Sequence, residues 1–105
     1  MRKSRSPQND FPIALRKARN SLGIPQDAFS IASSRTYISS LERGLKSPTL
    51  SKIDGLAEVL GVHPLTLLTL SYLSVQSNSE IDKLINRVKI ELELVLKDQE
   101  SSNRA

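Results

Sequence analysis

Gly23, Gly44 and Gly61 each close a stretch in which apolar side chains recur at helical spacing, and no other feature limits the fold as much. A glycine just past such a run lets a helix end in a left-handed turn, because it has no Cβ to clash there. The spacing of these stops predicts short helices joined by tight turns. Phe11, Leu15, Ala18 and Leu22 lead to the first stop, with Asp10 placed to cap. Ile38 and Leu41 lead to the second, behind the capping hydroxyls of Ser33 and Ser34. Leu50, Ile53, Leu56, Ala57 and Leu60 lead to the third, behind Thr49.

Two more helices complete the expected domain. One runs from Gln26 to Ala32 with Phe29 and Ala32 or Ile31 inward; Pro25 sets its approach but offers no side-chain cap. The other starts at Pro64, with Leu65, Leu68 and Tyr72 on one stripe and Leu67, Leu70 and Leu73 on another. Only Phe11, Phe29, Tyr37 and Tyr72 are aromatic, so the core must come from aliphatic side chains on packed helices. An all-α fold follows.

Beyond a polar linker, Ser74 to Ser79, the side chains of Ile81, Leu84, Ile85, Val88, Leu92, Val95 and Leu96 lie within about 120° of one another on a helical wheel. Such a helix is marginal alone in water, so its stripe needs a partner. It either folds back on the helix before it or meets a second copy, with Leu67 and Leu70 on the facing surface; Ile90 and Leu94 add apolar area that favours the second copy. The expected organisation is a basic arm over 1–9, a five-helix domain over 10–73, a linker over 74–79, an amphipathic helix over 80–100 and a tail over 101–105.

Composition narrows the chemistry. The absence of cysteine removes disulfides and thiolate metal ligands. Arg2, Lys3 and Arg5 precede no apolar run, so a secretory leader is not expected, and Gly61, His63 and Pro64 interrupt the longest uncharged span. A soluble cytoplasmic protein is expected, without a membrane segment. His63, before Pro64, suits a cap; Glu91 and Glu93 point about 200° apart and cannot share a metal. No nucleophile stands beside a base, so neither an enzyme nor a cofactor is expected. Residues 1–46 carry nine cations against three acids, a net +6, while the remainder carries −2. That asymmetry points to a polyanion for the first half.

The stretch from Ser34 to Gly44, SRTYISSLERG, seats Ile38 and Leu41 on one side and puts Thr36, Ser39, Ser40 and Arg43 on the other. With its neighbours, from Leu15 to Leu68, it resembles the Cro/CI-type helix-turn-helix domain of the XRE family of bacterial and phage regulators, a lambda-repressor-like fold. The resemblance implies five short helices, the third reading DNA in the major groove. It implies base contacts from Arg35, Thr36, Ser39 and Ser40, and backbone contacts from Gln26, Ser34, Tyr37, Arg43, Lys46 and Ser47. It also implies a structural ion pair between Arg19 and Glu42. Tyr37 suits a phosphate contact or edge packing, and the Arg2/Lys3/Arg5 arm suits a minor groove or a solubilising tail. Between Phe29 and Tyr37 the chain is two residues shorter than the family pattern, so the second helix must end early or the turn must tighten.

The expected partner is double-stranded DNA, bound by a nucleoid-associated homodimer at a palindromic operator through helices about 34 Å apart. Repression by blocking RNA polymerase is the expected outcome, with activation through polymerase contact as an alternative. An antitoxin-type chain with a small protein partner, and a protein-protein adaptor that does not read DNA, use the same fold.

Overall fold

The computed structural model describes residues 9–30 and 34–104, with side chains through Lys97. All the regular secondary structure among the described residues is helical, without strands. Two compact units divide between Tyr72 and Leu73.

The first unit contains α1 (Phe11–Ser21), a 3-10 turn (Gln26–Phe29), α2 (Arg35–Glu42), α3 (Leu50–Leu60) and α4 (Pro64–Tyr72). The three predicted stops end their helices in the same way. Gly23, Gly44 and Gly61 have φ of 70°, 75° and 76°. In each case the amide after the glycine reaches back to a carbonyl five residues earlier: Ile24 to Arg19 at 2.9 Å, Leu45 to Ser40 at 2.9 Å and Val62 to Ala57 at 3.1 Å. This is the Schellman arrangement, which satisfies the last carbonyls and reverses the chain sharply.

The starts are capped by side chains where hydroxyls were expected. Ser34 Oγ accepts from the Tyr37 amide at 3.0 Å, and Thr49 Oγ1 from the Lys52 amide at 3.2 Å. His63 Nδ1 accepts from the Leu65 amide at 3.0 Å. At α1 the cap shifts by one residue: Asp10 makes no side-chain cap, and Asn9 Oδ1 accepts from the Phe11 amide at 3.3 Å. Asp10 instead donates its backbone N–H to the Ser71 carbonyl at 2.7 Å, tying the start of α1 to α4.

Phe11, Leu15, Phe29, Ile38, Leu41, Ile53, Leu56, Leu60 and Leu67 form the core. Burying each is worth about 1.5–3 kcal/mol. Leu22 and Leu50, expected in the apolar stripes, are exposed. Each lies at the extreme end of its run. The second helix, expected to reach Ala32, is a single 3-10 turn ending at Phe29; residues 31–33, including Ile31, Ala32 and the candidate cap Ser33, lie outside the described residues.

α3 and α4 meet at 105°. α4 turns Leu67 and Ser71 inward and leaves Leu65 and Tyr72 exposed. Leu67, expected on a dimer surface, is therefore a core residue with 1% exposure. Leucines occur all around this helix, so its inward face is set by α1 and α3 packing against it. Leu70 is half-buried.

The second unit contains α5 (Asn78–Arg104), capped by Ser77 Oγ accepting from the Glu80 amide at 3.2 Å. It is longer than the expected 80–100 and takes in most of the expected tail. Ile81, Ile85, Val88, Ile90, Leu92, Leu94, Val95 and Leu96 are exposed along it, and Leu84 is half-buried. No single helix among the described residues is long and apolar enough to cross a membrane.

Candidate nucleic-acid interface

Glu42 fixes the position of α2. Arg19 of α1 grips its carboxylate with two bonds, Nε to Oε2 at 2.7 Å and Nη2 to Oε1 at 2.9 Å. Arg19 Nη1 also donates to the Ile24 carbonyl at 3.3 Å, and Gln26 Nε2 donates to Glu42 Oε1 at 3.1 Å. Arg16 approaches from the solvent side, with its Nε 3.9 Å from Oε1. The Glu42 side chain is 2% exposed, so a charge this deep depends on its partners. Three consecutive elements are thereby pinned at one point.

Burial by itself pushes the Glu42 carboxyl up; the hydrogen bonds from Arg19 and Gln26 and the charges of Arg19 and Arg16 outweigh it and hold the group below its ordinary value. Linkage fixes the sign. A carboxyl lowered in the folded state stabilises fully above its unfolded pKa, and that contribution disappears as pH falls through the folded value. Urea unfolding between neutral and acidic pH is therefore expected to show stability falling below the usual glutamate range, and Glu42→Gln is expected to flatten that slope.

α2 presents its N-terminal turn outward. Arg35 has a side chain 71% exposed, Thr36 is exposed and Ser39 half-exposed. Arg43, Lys46, Ser47 and Ser34 are exposed around them; Gln26 and Tyr37 are half-buried. Ser40 departs from expectation, being buried at 8% exposure. The Schellman turn at Gly44 brings Leu45 back onto the Ser40 carbonyl, and Lys46 then lies 5.7 Å from the Tyr37 ring centroid. The returning chain thus follows the flank shared by Tyr37, Ser40 and Gly44. Ser40 is removed from the set of base-facing residues.

Gln26, expected to hold a phosphate, donates one amide N–H to Glu42 and so helps seat α2. Lys52, not singled out by the sequence, stands 5.3 Å from the Tyr37 centroid, so two ammonium groups flank one ring. Asp27, also unassigned, places Oδ1 3.6 Å from Arg35 Nε. The arm residues Arg2, Lys3 and Arg5 lie outside the described residues. No cluster among the described residues has the makings of a metal site.

A capped helix with an exposed arginine and small hydroxyls at its tip, ringed by cations and braced by a buried ion pair, defines a helix-turn-helix DNA-binding unit. Residues 15–67, just over half the chain, match the helix-turn-helix family, and the chain belongs to it as a Cro/CI-type, XRE-family member. It is a DNA-binding transcription regulator, of a regulatory rather than an enzymatic family. Neither the curated proteins nor the solved structures contain a match.

Proposed function

We propose that the protein is a sequence-specific repressor that binds a palindromic operator as a cytoplasmic, nucleoid-associated homodimer, one α2 per half-site. The observation that carries the reading is the exposed tip of α2. Arg35 can bridge guanine O6 and N7, while Thr36 and Ser39 can bond base edges or touch a thymine methyl. Arg43, Lys46, Lys52, Tyr37, Ser34 and the Ser47 loop supply backbone contacts that set register. The dimer is supported by the exposed apolar side chains of α5. Repression follows from occupying DNA that RNA polymerase needs.

Selection of bound fragments from random duplexes tests the reading directly: a two-fold symmetric motif is expected, and recovery of unselected sequence would refute it. Arg35→Ala is expected to weaken operator binding by about 1–3 kcal/mol while leaving non-specific binding nearly unchanged. Equal losses on both DNAs in a gel-shift titration would remove Arg35 from base reading. Affinity is also expected to fall steeply with salt, since cations displace counterions from the phosphates. A flat dependence between low and physiological salt would contradict those contacts.

A further inference from the structure

We propose that α5 pairs with the α5 of a second copy in an antiparallel orientation, in a register that sets Ile81 against Leu92 and Ile85 against Val88 of that copy. This inference rests on the dimeric reading above and specifies its geometry. Ile81, Ile85, Val88, Leu92 and Val95 follow one another at alternating steps of four and three residues. All five are exposed on one continuous helix. Alternation of this kind is the seam of a two-helix coiled coil, with Ile85 and Leu92 at one core position and Ile81, Val88 and Val95 at the other.

Side-chain shape and charge select the orientation. In a parallel pair each residue meets its own counterpart, and the β-branched Ile81, Val88 and Val95 would occupy the position that two-stranded parallel coils give to leucine. Its flanks would set Leu84 against Lys89 and Glu91 against Leu96, with no opposite charges facing. In the antiparallel register every layer combines one residue from each core position. Val95 then closes each end over Asn78.

The flanking charges agree. Within α5, Lys83 pairs with Glu80 at 3.4 Å and Arg87 with Glu91 at 3.2 Å. Asp82 and Lys89 are exposed and take part in none of the ion pairs among the described residues. The register brings Asp82 of each copy to Lys89 of the other, twice across the two-fold axis. Leu84 faces Glu91, whose carboxylate is already held by Arg87.

The full chain has no cysteine, which makes the test direct. Ile81→Cys and Leu92→Cys variants are oxidised separately and as an equimolar mixture, with sedimentation run in parallel on the unmodified chain. A disulfide is expected in the mixture and not in either variant alone, because identical positions would stand about 16 Å apart along the axis, beyond disulfide reach. Lys89→Asp is expected to weaken dimerisation several-fold, and Asp82→Lys added to it to restore it. Self-crosslinking of each variant in a dimeric protein would overturn the antiparallel register alone. A monomeric unmodified chain would remove the second copy as the occupant and, with it, the dimeric reading.

Discussion

Arg19→Met is expected to cost about 3–5 kcal/mol of folding stability, the range for removing one partner of a buried ion pair. Methionine keeps most of the side-chain volume, so the loss measures the stranded charge rather than a cavity. What remains is a carboxylate whose side chain is 2% exposed, contacted by Gln26 and distantly by Arg16. For a domain of this size, each kcal/mol is worth about 4–8 °C in Tm, so the variant is expected to melt about 12–40 °C lower.

The pH dependence gives a sharper check than the magnitude. In the parent chain, acid removes stability because Glu42 is held below its ordinary value. In Arg19→Met, burial, the largest influence on Glu42, is opposed only by Gln26 and Arg16, so the carboxyl is expected to move above its unfolded value and the variant to gain stability as pH falls. Opposite slopes in urea titrations of the two proteins are the expected result. Parallel slopes, or a loss under about 1 kcal/mol, would mean that the pair behaves as an exposed surface bridge. Arg19→Met combined with Glu42→Leu is expected to recover much of the loss, because it leaves no charge unpaired.

Val88→Asp is expected to abolish the proposed dimer while leaving the helix-turn-helix unit folded. Val88 is central among the exposed apolar side chains of α5, and a two-fold pair would bury the new carboxylate twice. The effective penalty for burying an ion without a partner is several kcal/mol, so association is expected to weaken by at least a thousandfold. In the proposed reading, operator affinity is expected to fall with it, since two linked half-site contacts become separate encounters. Sedimentation and a gel shift on one DNA separate the two effects. An unchanged dimer would rule out this surface.

The parts of the fold that follow local rules were legible in the sequence. Glycine stops, the Ser34 and Thr49 caps, the His63 cap and the core leucines of α3 depend on neighbours within one turn of the chain. Ser40 was not legible, because a helical wheel knows only its own helix and cannot show a loop returning along one flank. Leu67 failed for a related reason: with leucine on every side of α4, only the packing of α1 and α3 decides which one is inside. The Asn9 cap was not legible because Asn9 falls in the polar arm expected over 1–9, and Asn and Asp cap equally well by type, so nothing local favours it over Asp10. Lys52 and Asp27 escaped because their significance is a relation across elements, to Tyr37 and Arg35, that no single-helix pattern encodes.

The concealment of Ser40 bears on how much sequence information one subunit can extract. In the proposed reading, one forked donor and two short hydroxyls remain, and each correctly read base pair is worth about 1–3 kcal/mol. Picking out a site among the competing stretches of a genome takes about 4–10 kcal/mol. Three such contacts total about 3–9 kcal/mol, so a solitary head covers that range only when each contact is near its best. Recognition then becomes a joint decision of two modest readers, in which one degenerate base pair is forgiven and simultaneous faults in both halves are not.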